Sequence, residues 1–198
     1  MVDQAAYRGN RETILVVCTG NVCRSPYMEY AIRHGLAAQG ISHVEVVSAG
    51  TQALIGHPMA DPILEALAED GIDGSRFRAQ ILTRALVEHA DVILTAEASH
   101  RSEVARLFPP ALRRVFTLRQ FARLTAIAPP EMPDGRPLRD LVQHVAGLRG
   151  TTQPAGGATD DVEDPWNGSR AVYRRALDGM HDPVRTIVAS LADLTSRP

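Results

Sequence analysis

Apolar residues along this chain fall into two rhythms, and the alternation between them predicts the architecture. Ile14-Leu15-Val16-Val17 is an unbroken apolar run, which reads as a strand over 13–18 buried on both faces. Residues 26–39 then carry Met28, Ala31, Ile32 and Leu36 at helical spacing. Val44–Val47 predicts a second strand, and 58–70 a helix stopped by Gly71. A short helix at 83–89 leads into a third strand, Asp91–Thr95, followed by a helix over 97–107. Arg113–Phe116 is a short fourth strand with a brief helix after it at 118–124. The last helix starts near Ser169, and Pro183 is expected to kink or restart it before Leu194. Strands separated by helices imply an α/β fold with a parallel sheet covered on both faces. Ligands of such sheets bind at the carboxyl ends of the strands, here beyond the first.

Two stretches depart from this rhythm. Residues 1–11 read as a loose N-terminal arm before a domain spanning 12–198. Residues 125–160 open with Pro129-Pro130, Pro133-Asp134-Gly135 and Pro137, and continue through a short amphipathic helix expected at Leu138–Leu148. They end in a low-complexity tract, Gly150 to Asp160, expected to be mobile. The whole reads as a surface insertion, with a lid or substrate-recognition role as the alternative.

Composition narrows the class. At 198 residues with 44% hydrophobic content, the chain can bury one core. No apolar run reaches the ~18 residues of a membrane helix, and the polar start lacks a signal-peptide core. Net charge is −2, so bulk electrostatics do not favour nucleic acid. All the Lys/Arg-class residues are arginine, from which no function is drawn. The two cysteines, Cys18 and Cys23, offer no disulfide framework and point to a reducing compartment, the cytoplasm. Seven histidines show no ligand spacing, so neither a metal site nor a cofactor is expected.

Both cysteines lie in Cys18-Thr19-Gly20-Asn21-Val22-Cys23-Arg24-Ser25. A cysteine and an arginine framing five residues suit a phosphate monoester. The intervening backbone N–H groups of Thr19, Gly20, Asn21, Val22 and Cys23 can form a nest for phosphate oxygens. Arg24 supplies a planar fork. Cys18, as thiolate, is a nucleophile. Ser25-Pro26 is expected to open the next helix, Ser25 as N-cap and Pro26 at its first position, aiming the helix dipole at the anion. Asn21 tolerates positive φ and can lock the loop. Cys23 has two readings, a packed thiol or a reversible partner for an oxidised Cys18.

The run Val17 to Pro26 resembles the phosphate loop of the low-molecular-weight protein tyrosine phosphatases. Three further segments match that family in order: Ser48-Ala49-Gly50-Thr51, the stretch from Gly56 through Asp61-Pro62 to Gly71-Ile72-Asp73, and Asp164-Pro165-Trp166. The resemblance spans about residues 12–124 and 161–195. It implies one three-layer domain with strand order 2-1-3-4, acting on phosphotyrosine or another aryl phosphate through a phosphocysteine. It also implies Asp164 as general acid among Asp160, Asp161, Glu163 and Asp164, where Pro165 stiffens the exit. Trp166 stands where Tyr or Phe is usual and could wall the pocket. Ser25 would ease departure of the Cys18 thiolate, and Ser48 would support the loop. Glu97 stands where the family commonly has aspartate, and His100 where asparagine is common. A thioredoxin-coupled arsenate reductase shares the loop but needs further downstream cysteines, and none follows Cys23. A non-catalytic phosphate-binding module would be expected to lose Cys18, Arg24 or the acid. Oligomeric state is not legible.

Overall fold

A computed structural model describes residues 11–127, 137–152 and 159–195. Four parallel strands, β1 (Glu12–Cys18), β2 (Val44–Gly50), β3 (Val92–Thr95) and β4 (Val115–Thr117), form one sheet in the order β2-β1-β3-β4. The helices are α1 (Arg24–Ala38), α2 (Asp61–Glu69), α3 (Arg84–His89), α4 (Ala98–Leu107), α5 (Leu118–Thr125), α6 (Pro137–Gly147) and α7 (Arg170–Thr195). β1 is central, and its alternation divides the core. Ile14, Val16 and Cys18 join the cluster under α1, α2 and α5–α7, while Leu15 and Val17 join Val87, Val104 and Val115 beneath α3 and α4. Both faces are therefore dry, as the unbroken apolar run of β1 requires. The sheet order and two-sided cover agree with expectation.

Three local expectations are corrected. The helix expected at 58–70 begins only at Asp61. The preceding residues are committed elsewhere: Gly56 and Ala60 donate to Ala79 and Val22 carbonyls at 2.8 and 2.9 Å. Its end follows the pattern, with Gly71 at φ 74° and Ile72 N–H on Leu67 O at 2.8 Å, a Schellman closure.

Pro183 does not interrupt α7, which runs unbroken from Arg170 to Thr195. A proline removes the donor for the carbonyl four residues earlier, here Gly179. The Arg119 guanidinium of α5 supplies that hydrogen bond at 3.1 Å. A side chain from another element thus repairs the helix.

The insertion reading fails at its centre. Leu138, Leu141 and Val145 of α6 are fully buried and Val142 nearly so, all within the main core. Buried Glu12 at the start of β1 accepts the first amides of α6, Leu138 N–H at 3.2 Å and Arg139 N–H at 3.0 Å, where a carboxylate also suits the helix dipole. α6 is part of the body of the domain. Residues 1–10 of the expected N-terminal arm, the Pro-rich turns (128–136) and most of the Gly-rich tract (153–158) lie outside the described residues.

Leu141→Ala should cost about 2–5 kcal/mol in chemical denaturation, the range for a buried leucine truncation. A loss below about 0.5 kcal/mol, as a surface insertion would give, would contradict the core assignment of α6.

Candidate active site

The chain leaves β1 at Cys18, where Cys18 is paired with Gly50 of β2, and enters α1 at Arg24. Between them the backbone is turned with its carbonyls facing away from the pocket. The carbonyls of Cys18, Thr19, Gly20 and Val22 accept the N–H groups of Thr51, Gln52, Leu54 and Ala60, each at 2.9 Å. That leaves the loop amides for an anion. Gly50 is required at this junction, because a Cβ there would overlap the Thr19 carbonyl.

Asn21 holds the turn. Its φ of 54° is the left-handed conformation that asparagine tolerates, and its fully buried side chain makes three hydrogen bonds. The amide donates to Ser25 Oγ and Ser48 Oγ at 2.9 Å each, and Oδ1 accepts Gln80 N–H at 2.8 Å. Ser48 in turn donates to Glu29 Oε2 at 2.6 Å, and Arg33 pairs with the same carboxylate. Burial pushes the Glu29 carboxyl above the usual range, against these partners.

Ser25 is not the helix cap. α1 starts two residues earlier than expected, its N-cap position is Cys23 without a side-chain cap, and Pro26 falls in the first turn. With Asn21 donating to it, Ser25 Oγ lies 3.0 Å from Cys18 Sγ and 3.5 Å from the Ala49 carbonyl, so its own proton can be given to the nearer sulfur or to that oxygen. That placement lets it stabilise a Cys18 thiolate.

Arg24 is 1% exposed. Its guanidinium binds the Glu97 carboxylate, the Val162 carbonyl at 3.1 Å, Thr19 Oγ1 at 3.4 Å and Asp164 Oδ2 at 2.7 Å. Burial acts against the Glu97 carboxylate, but Arg24, with help from His100 and Ser99, holds its pKa below the usual range. His100 Nδ1 accepts Glu97 N–H at 3.2 Å, which puts the ring proton on Nε2, 2.9 Å from Thr19 Oγ1. Burial also lowers the His100 pKa, favouring that neutral form. Burial pushes the Cys23 thiol up to about 12, and its sulfur lies 3.7 Å from Tyr173 Oη. Both cysteines are free.

The four acidic residues before Trp166 are sorted by their partners. Asp160 pairs with Arg123 at 2.7 Å, Asp161 accepts Ala98 N–H at 2.7 Å, and Glu163 pairs with Arg175 through two contacts at 2.9 Å. Val162, buried between them, fastens the segment to the sheet through its N–H on Ala96 O at 2.8 Å. Asp164 alone of the four reaches Arg24, and its Oδ1 accepts Trp166 N–H at 3.2 Å.

A pocket of about 140 Å³ results, lined by Cys18, Thr19, Gly20, Val22, Cys23, Arg24, Asp164 and Trp166, together with Gln52 and Leu54. Asn21, Ser25 and Ser48 stand behind it, and Glu97 backs Arg24. Sequence reasoning missed Gln52, Leu54 and the bracing contact of Gln80, which carry no motif of their own. It named His100 only as a departure from a pattern. No group of three or more His, Cys, Asp or Glu side chains suited to a metal ion is found among the described residues.

Known proteins resemble this chain in sequence and in fold. Residues 13–140 match the family described as low molecular weight phosphotyrosine protein phosphatase. The probable low molecular weight protein-tyrosine-phosphatase EpsP of Ralstonia nicotianae is 42% identical over 107 residues, 54% of this chain and 70% of EpsP. A protein-arginine-phosphatase of Geobacillus stearothermophilus is 30% identical over 180 residues, 91% of this chain and 93% of its own. Among solved structures, a cysteine-to-serine mutant of the YwlE arginine phosphatase with a phosphorylated active-site serine superposes with a TM-score of 0.68. It is 26% identical and covers 90% of this chain and 95% of its own.

Asn21→Gly, which keeps the backbone conformation, should still lose about 1–3 kcal/mol of stability by leaving buried partners unsatisfied. It should also weaken inhibition by inorganic phosphate. Unchanged phosphate inhibition would show that the loop holds its shape without Asn21.

Proposed function

The chain belongs to the low-molecular-weight phosphotyrosine protein phosphatase family, and we propose that it hydrolyses phosphotyrosine in protein substrates through a phosphocysteine on Cys18. The observation that carries this reading is the convergence of Cys18, Arg24 and Asp164 on one pocket. The Cys18 thiolate attacks phosphorus in line with the ester bond, so the S–P bond forms as the P–O bond breaks. Asp164, protonated, gives its proton to the leaving phenolate oxygen. In the second step the Asp164 carboxylate takes a proton from water, which attacks phosphorus. The S–P bond then breaks, inorganic phosphate leaves, and the Ser25 hydroxyl supports the departing thiolate. The loop amides and Arg24 stabilise the equatorial oxygens throughout. Phosphate would take over the face of Arg24 that pairs with Asp164, freeing Asp164 to meet the leaving group.

Val22, Leu54 and Trp166 supply apolar lining around the phosphate cradle, which suits an aryl phosphate. The phosphorylated serine in the YwlE mutant supports a covalent phosphoryl enzyme here as well. A second reading, phosphoarginine, is favoured by the arginine phosphatases that align with about nine-tenths of this chain. No described helix is long and apolar enough to cross a membrane, and a free nucleophilic thiol suits the reducing cytoplasm as its place of work.

Cys18→Ser should abolish turnover of p-nitrophenyl phosphate yet still bind vanadate, because the cradle is backbone and Arg24. Activity within tenfold of wild type would remove Cys18 from the mechanism. Asp164→Ala should slow aryl phosphates with poor leaving groups by ~10²–10⁴-fold and steepen the leaving-group dependence. Glu163→Ala, which removes only an exposed ion pair, should not; an equal effect would reassign the acid. Phosphotyrosine peptides should be turned over with higher kcat/KM than matched phosphoarginine peptides, and the reverse order would establish the second reading.

A further inference from the structure

A second depression lies at the outer edge of the sheet, past β2. It is a groove of about 460 Å³ lined by Ile55, Gln80, Ile81, Thr83, Ala85, Leu86 and His89. Ile55 is 67% and Ile81 38% exposed, side chains that the core does not use. No carboxylate or arginine lines the groove, so it favours an uncharged, apolar occupant.

The backbone of this groove is an unfilled strand edge. Ile81 extends the sheet beyond β2 through a parallel bridge with Gly50. Gly50 N–H donates to Gln80 O at 2.9 Å and Leu82 N–H donates to Gly50 O at 2.8 Å. Those two bonds fix the alternation, so the N–H and C=O of Ile81 itself point away from the sheet. Neither has a hydrogen-bond partner among the described residues. An extended peptide can add to such an edge, with main-chain bonds giving affinity and side-chain pockets giving selectivity.

The groove is tied to the catalytic pocket through adjacent and hydrogen-bonded residues. Leu54 lines the pocket and Ile55 the groove. Gln80 lines the groove while its N–H holds Asn21 of the phosphate loop.

On the phosphatase reading above, we infer that the substrate's polypeptide runs in extended form along the Ile81 edge. It seats an aliphatic side chain, a few positions from the phosphorylated residue, against Ile55, Ile81 and Leu86. The phosphoryl group is then read by the loop and the surrounding sequence by this edge. Small aryl phosphates use the loop alone.

The test is kcat/KM on phosphopeptides in a Gly/Ser background, with one leucine walked outward from the phosphorylated residue on each side. Phosphotyrosine and phosphoarginine versions are both made, and the series is read on whichever the wild type turns over. One register should raise kcat/KM about tenfold or more, the scale of burying a leucine side chain. N-methylation of the peptide backbone at that register should lower it again. The double variant Ile55→Asp/Ile81→Asp should lose the leucine preference while turning over p-nitrophenyl phosphate within about twofold of wild type, since neither side chain touches the pocket. A flat leucine profile in the wild type, or a preference that survives in the double variant, would overturn the inference. Failure of the underlying reading is distinguishable, because wild-type protein would then not turn over p-nitrophenyl phosphate; that outcome would overturn the inference too.

Discussion

A backbone loop binds a phosphate dianion only if its carbonyl oxygens are turned away and kept there, since each one facing inward would repel the ligand. In this protein four carbonyls between Cys18 and Val22 are pinned outward by amides from residues 51–60. The rest of the site depends on that constraint. It explains why Gly50 must lack a side chain beside Thr19, why Asn21 adopts a positive φ, and why α2 starts late. The stretch before α2 is occupied in holding the loop. A disordered loop could carry the same amides, but ordering it on binding would cost conformational entropy that the pinned loop has already surrendered.

The guanidinium of the site is also compensated by carboxylates. Arg24 is buried, and a buried guanidinium without partners is costly. Glu97 and Asp164 share it, but they are not equivalent partners. Glu97 is braced by Ser99 and by the start of α4. Asp164 is the more exposed of the two, and its other side-chain contact is the Trp166 N–H on its own loop. On the proposed mechanism, the incoming phosphate competes with the more exposed carboxylate, and the one it displaces then acts on the leaving group. Arg24 would in that way couple anion binding to the positioning of the acid.

Much of this was legible in the chain because the chemistry is local. Cys18, the loop and Arg24 are contiguous, so spacing alone proposed the cradle. Strand order, by contrast, came from resemblance, since alternation of strand and helix does not specify which strand neighbours which. The misreadings share a physical origin. Ser25 has the composition of a helix cap, yet its hydroxyl is claimed by Cys18 and Asn21 across the loop. Pro183 has the composition of a helix break, yet Arg119, distant in sequence, satisfies the carbonyl it orphans. Leu138, Leu141, Val142 and Val145 have the spacing of a buried helix face, but flanking proline and glycine drew attention to the segment's edges. Gln80 carried no local signal at all, because its role is a main-chain contact 59 residues from Asn21.

The central claim is that Cys18, and not the neighbouring Cys23, accepts the phosphoryl group. Asp164→Ala should build up that intermediate on p-nitrophenyl phosphate, whose leaving group needs little help while hydrolysis of the S–P bond lacks its base. Rapid quenching into acid followed by tandem mass spectrometry of the peptide from Glu12 to Arg24 should find phosphate on Cys18. Phosphate on Cys23, or no covalent adduct while p-nitrophenol is released in a burst, would contradict the account.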